Sequence, residues 1–158
     1  MKGGLDFTLP NGQHTGYIKN LRFNDVHVLV KGGNPPTDRE QSPPELGVGQ
    51  YNVNDLRVQP SYGLWARHAM NLAMTNCTFN CEKPDSRYAL YLDDVLGARI
   101  SNVKMVRASG SDHVLGVRNS PDVILENSVY YQDTWENSPA EISRIVHTEA
   151  QGSMAYPR

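Results

Sequence analysis

The chain has little of what announces a metal, a nucleic acid or a membrane. Its 158 residues hold only two cysteines and a net charge of −2. A zinc site needs about four ligands, and Cys77 and Cys81, in Asn-Cys-Thr-Phe-Asn-Cys, have no histidine set to complete one. Cys77 reads as a buried free thiol; no metal and no cofactor is expected. The near-balanced charge lacks the basic footprint of a nucleic-acid binder, and no basic run addresses a membrane surface. No apolar stretch approaches transmembrane length. Met1-Lys2-Gly3-Gly4-Leu5-Asp6 carries no signal-peptide core. Ser, Thr and Cys residues form no nucleophile-elbow pattern.

What the chain does have is a repeat. Leu64 to Cys77 aligns without a gap on Leu90 to Val103, and one residue shorter on Leu115 to Ser128, a spacing of 25 to 26 residues. A fixed period in this range means stacked supersecondary units. Apolar residues alternate inside each unit, as in Leu90 and Leu92, then Ala98 and Ile100. That is a strand period. The leucine-rich spacing is absent, and ankyrin and TPR units are longer and helical. The expected fold is therefore all-β: a right-handed parallel β-helix, with identical positions about 4.8 Å apart along the axis.

The alignment then predicts contacts. Inward columns are Leu64/Leu90/Leu115, Ala66/Leu92/Val117, Leu72/Ala98/Val123 and Met74/Ile100/Leu125. Asn76/Asn102/Asn127 is expected to form a buried amide ladder in a turn, with Asp25 in the same place of an earlier copy. Because that ladder would bury Asn76, the Asn76-Cys77-Thr78 glycosylation sequon is discounted. Residues 1–158 read as one domain. Residues 31–62, rich in Gly and Pro, read as a long excursion, and 131–158 as a cap or tail. In the tail, Ser138-Pro139-Ala140-Glu141 has the form of a capping box. Ile142, Ile145 and Val146 follow on one helical face, so a short C-terminal capping helix is expected over a rival strand.

If Leu64 and Ala66 point inward, Trp65 and Arg67 point outward, stacked on Tyr91 and Asp93 and then on Gly116 and Arg118. Trp65, Arg67, Tyr91 and Arg118 are the candidate substrate-binding residues: rings stack on sugar faces and Arg binds carboxylates bidentately. The same alternating charges also serve to set register. Asp93, Asp94 and His113 are the candidates for acid–base chemistry, against the plainer reading of turn carboxylates.

Asn20 to Val26, Tyr62 to His68, Glu82 to Ala89 and Leu92 to Val95 resemble the C-terminal coils of bacterial polygalacturonase-like proteins, glycoside hydrolase family 28. The resemblance covers most of residues 14–130. It implies the pectin lyase-like β-helix, action on or binding of acidic pectic polysaccharide, and a secreted or periplasmic setting. The family's catalytic signature, Asn-x-Asp, Asp-Asp, Gly-His-Gly and Arg-x-Lys on successive coils, is met only by His113 in Asp112-His113-Val114-Leu115-Gly116-Val117. Arg87-Tyr88 stand one coil earlier where two acids belong, and Asp93-Asp94 come after their strand. The chain therefore reads as a truncated relative lacking the catalytic coils. The alternatives are a small hydrolase using Asp93 or Asp94 with His113, or a non-enzymatic solenoid that binds carbohydrate or self-assembles through an uncovered coil end.

Overall fold

The computed structural model describes residues 16–44, 52, 54–148 and 153–156, and the chain is all-β. Its strands are β1 (Ile18–Lys19), β2 (Arg22–Asn24), β3 (His27–Gly32), β4 (Ser61–Thr75), β5 (Thr78–Lys83), β6 (Tyr88–Ser101) and β7 (Lys104–Arg107). They continue as β8 (Leu115–Arg118), β9 (Val123–Glu126), β10 (Ser128–Gln132), β11 (Pro139–Ile142), β12 (Ile145–His147) and β13 (Ser153–Tyr156). Among the described residues the only helix is α1 (Pro36–Arg39), a single turn. One sheet is built on β4, β6, β8 and β9, joined by β1, β2, β12 and β13; the other runs β11-β10-β7-β5-β3.

The repeat is visible as register. β4 pairs in parallel with β6 through Leu64↔Leu90, Ala66↔Leu92, Leu72↔Ala98 and Met74↔Ile100. β6 pairs in parallel with β8 and β9 through Leu90↔Leu115, Leu92↔Val117, Ala98↔Val123 and Ile100↔Leu125. These are the four apolar columns that the alignment predicts, and nearly all their members are buried. Cys77, Val103 and Met105 complete the same core, and both cysteines are free thiols. Burial pushes the Cys81 thiol up to about 12, with Asp85 adding to it.

The long strands are bent rather than straight. Apart from Arg57 and Asp133, the described non-glycine residues with positive φ fall into three stacked columns: His68, Asp94 and Asn119; Asn20, Asn71 and Asp122, with Gly97 in line; and Asp25, Asn76, Asn102 and Asn127. A left-handed residue rotates the alternation, so the inward sequence runs Leu64, Ala66, then Ala69, then Leu72, Met74, then Cys77, Phe79. Asn and Asp tolerate this conformation because their short polar side chains bond locally. Corner N–H groups stay in the ladder: Asp25 N donates to Thr75 O, Asn76 N to Ser101 O and Asn102 N to Glu126 O. In the last repeat, serines stand inward after two of the corners. Ser120 Oγ accepts from Val95 N at 2.9 Å and Ser128 Oγ accepts from Val103 N at 3.0 Å.

Three expectations are corrected. The Asn column forms, and Asn102 Nδ2 donates to Asn76 Oδ1 at 2.5 Å, but its side chains are exposed rather than buried. The ground for discounting the Asn76 sequon therefore goes. The excursion is narrower than 31–62, since β3 runs to Gly32 and β4 starts at Ser61. The C-terminal helix is replaced by strands. β11 pairs antiparallel with β10, β12 with β9 and β13 with β8, so the chain turns back at residues 133–138 and retraces the last repeat. The exposed edge of that repeat offers a row of unpaired backbone groups, and β-branched Ile142, Ile145 and Val146 suit a strand better than a helix. Pro139, lacking an N–H, sits on the sheet's edge strand, where it is tolerated.

Asn102→Leu is expected to lower stability by about 1–2 kcal/mol, from left-handed strain plus a lost hydrogen bond. Asn102→Gly should cost less, because glycine adopts positive φ without strain. Urea denaturation of both variants checks this; a wild-type midpoint for the Leu variant would strip the column of its structural role.

Candidate functional site

The expected site lies where β4, β6 and β8 run side by side. Trp65↔Tyr91, Arg67↔Asp93, Tyr91↔Gly116 and Asp93↔Arg118 are register partners, so the outward columns stand as the alternation requires. Their exposure does not. Trp65 is 5% exposed, Arg67 2% and Asp93 3%.

The cover comes from the excursion. Asn34 anchors its start, its N–H donating to Asp85 Oδ2 while its carbonyl accepts from Ser86 N. At the end of α1, Arg39 Nη1 donates to Ser111 Oγ at 3.1 Å and its guanidinium lies 5.9 Å from the Tyr88 ring centroid. Ser42 Oγ then accepts from Arg118 Nη1 at 3.2 Å, and Pro43 O accepts from Arg67 Nη1 at 2.7 Å. Residues 34–43 thus form a strap across the outward face.

Beneath it, Asp93 is clamped between two guanidiniums. Arg118 binds it with both ends of the fork, Nε to Oδ1 at 2.7 Å and Nη2 to Oδ2 at 2.5 Å, while Arg67 Nε also donates to Oδ2. Burial pulls the Asp93 carboxyl up, but the bonds and charges of Arg118 and Arg67 outweigh it and hold it below the usual carboxylate range. A carboxylate so held is a counter-ion rather than a proton donor. Arg67 also stacks on Trp65 at 4.6 Å. Trp65 therefore meets the Arg67 cation under the strap instead of offering an open ring face.

Tyr91 stacks on Tyr88, with centroids 5.3 Å apart and planes 25° apart. The pair lies over Gly116, where a Cβ would come within 2.4 Å of the Tyr91 ring. The half-buried surface left beside the strap is this tyrosine pair with the rim of Arg118. Asp94 points elsewhere: its carboxylate accepts from Tyr17 Oη at 2.9 and 2.8 Å and meets His68 Nδ1 at 2.5 Å. Burial and Asp94 together push the Tyr17 hydroxyl up to about 12. His113 lies in the turn before β8, its backbone tied to Ser111 Oγ. The structure brings Arg67, Asp93 and Arg118 together, and separates Asp94 into a cluster with Tyr17 and His68. The strap's role and the Tyr17 partner are absent from the sequence reading, whereas the stacking of the repeat already sets Asp94 at a turn beside His68, as the structure has it.

Among the described residues no group of three or more His, Cys, Asp or Glu is placed to hold a metal ion. No helix in the described residues is long and apolar enough to cross a membrane. Comparison with protein-family models, with curated proteins and with solved structures gives no match to this chain.

Asp93→Ala is expected to cost about 3–5 kcal/mol, because it leaves Arg67 buried without its counter-charge. Since the folded Asp93 sits below its unfolded value, its contribution is present above the ordinary aspartate range. That contribution is lost as pH falls through the folded value. Denaturation midpoints of wild type and Asp93→Asn against pH check this: the wild type should lose more stability below about pH 4. Parallel pH profiles would show that Asp93 contributes nothing through its charge.

Proposed function

We propose that this chain is a right-handed parallel β-helix of the pectin lyase-like kind, related to polygalacturonase-like glycoside hydrolases, which binds acidic polysaccharide without cleaving it. The observation that carries the fold is the 25- to 26-residue register that β4, β6, β8 and β9 keep from Leu64 onward. The observation that carries the lack of hydrolysis is the state of Asp93. Glycoside hydrolysis uses a carboxylic acid beside a second carboxylate at a set separation, whereas Asp93 is buried, ionised and bonded to two arginines. Asp94, its sequence neighbour, is occupied by Tyr17 and His68. The purified chain should retard in a gel containing polygalacturonate and release no reducing sugar from it. Release of reducing ends that Asp93→Asn or Asp94→Asn abolishes would replace this reading with that of a small complete hydrolase.

A second reading, self-assembly, is favoured by the first repeat. Leu21, Phe23, Val26, Val28 and Val30 face the core yet are only partly buried, whereas Leu72, Met74, Cys77 and Phe79 in the next repeat are 0–3% exposed. β3 is the edge of its sheet among the described strands, and its Leu29 is 62% exposed. A second copy laid on this edge would cover the row by strand addition. Sedimentation equilibrium should show a dimer that Val28→Asp dissociates; a monomer at all concentrations removes this reading.

A further inference from the structure

The strap occupies the outward face over β8, and the large sheet has a second outward face over β2 and β9. On β2, β4, β6 and β9, one outward column reads Arg22, Ala73, Arg99 and Ile124, fixed by the pairs Arg22↔Ala73, Ala73↔Arg99 and Arg99↔Ile124. A small residue between two long ones leaves a notch. It forms a shallow groove of about 280 Å³, with Asn71 and Gly97 at the adjacent corner. The two arginines are two strand spacings apart, roughly 10 Å.

We propose that this notch over Ala73 seats an anionic oligosaccharide, with Arg22 and Arg99 each holding one of its acidic groups. The ligand class follows from the surroundings and rests on the acidic-polysaccharide reading above. Both arginines are exposed. Arg22 has no ion-pair partner among the described residues, and Arg99 has one, Glu126 at 3.1 Å, which Arg144 shares. Guanidinium forks suit planar carboxylates. Two residues along the strands lies a second column, Asn24↔Thr75↔Ser101, which offers an amide and two hydroxyls to a polyhydroxyl chain. Asp122 at the corner opposes the anion and limits the affinity. The repeat thus provides cationic and hydroxyl positions at a regular pitch, as a linear polymer of charged sugars requires.

The test measures binding of the chain, by calorimetry, to an oligomer of uronic acids, to a sulfated dextran oligomer and to neutral dextran. Arg22→Gln and Arg99→Gln should each weaken binding of the acidic oligomer roughly tenfold, the loss of one charged hydrogen-bonded contact. Ala73→Met should weaken it comparably by filling the notch with charge unchanged, and Asp122→Asn should tighten it. Circular dichroism identical to wild type keeps these surface changes interpretable. If the wild type binds the uronic-acid oligomer and all three weakening variants bind equally well, the groove is overturned and the polysaccharide reading stands. Preference for the sulfated oligomer with the same dependence on Arg22, Arg99 and Ala73 keeps the groove and overturns the pectic ligand. A wild type that binds no acidic oligomer, or binds neutral dextran as well, overturns both.

Discussion

Because β4, β6, β8 and β9 pair in parallel and hold one register from Leu64 onward, a bend in one repeat has to be met by the same bend in the next. The backbone groups of one repeat find their partners at a fixed strand spacing, and a corner that drifted by one residue would turn every following side chain to the opposite face. The three left-handed columns are how this chain obeys that constraint. Each column needs a residue that accepts positive φ, which explains why Asn, Asp and Gly dominate positions with little else in common. Apolar residues between the corners then fall inward at uneven intervals of two and three. The inward rows of successive repeats meet, and the hydrophobic contribution of the core depends on that meeting.

The same register places charges. Arg67, Asp93 and Arg118 are aligned because their strands are, and pairing opposite charges across strands disfavours a slipped alternative. Burying such a cluster removes charges from water, which is costly unless the remaining donors are satisfied. The strap supplies that satisfaction. Pro43 O accepts from Arg67 Nη1 and Ser42 Oγ from Arg118 Nη1, nitrogens that Asp93 does not bind. Lysine in either position would offer a point charge without the fork that reaches a carboxylate and a second acceptor at once. The cluster is thus better understood as the anchor of a loop than as a place where substrate is met.

How far the sequence went follows from which signals repeat in kind. The apolar columns were legible because Leu, Ile, Val and Met recur at strand period across three copies. The Asn76/Asn102/Asn127 corner was legible because the residue itself recurs. The 68/94/119 corner was legible only as a turn at Asp94 beside His68 and Asn119, and the 71/97/122 corner was not legible, since Asn, Gly and Asp share a backbone angle and no side-chain pattern. The outward orientation of Trp65 and Arg67 followed from alternation, but their burial did not. It arises from residues more than twenty positions earlier, through hydrogen bonds to a proline carbonyl and a serine that no local pattern marks. The C-terminal helix failed for a related reason. A capping box describes what Ser138 to Glu141 prefer alone, whereas the open edges of β9 and β10 offer a full row of backbone partners, and tertiary pairing overrides local propensity.

The two ends of the stack meet the edge problem differently, and this bears on what the surfaces are for. At the last repeat the chain reverses and pairs antiparallel with its own preceding strands, so the core there is closed by the protein itself. At the first repeat the inward residues are half-covered and β3 is an edge among the described strands. Of the lateral faces, the one over β8 is crossed by the strap, while the one over β2 and β9 carries exposed arginines, amides and hydroxyls, with Arg99 paired to Glu126 at the surface. A face whose charges lie in water gains little for the fold from them, since exposed ion pairs stabilise weakly at best. Residues that the fold does not need are where binding has room to act. In this chain they lie across the sheet at the strand spacing, which is the regularity the proposed linear ligand would match.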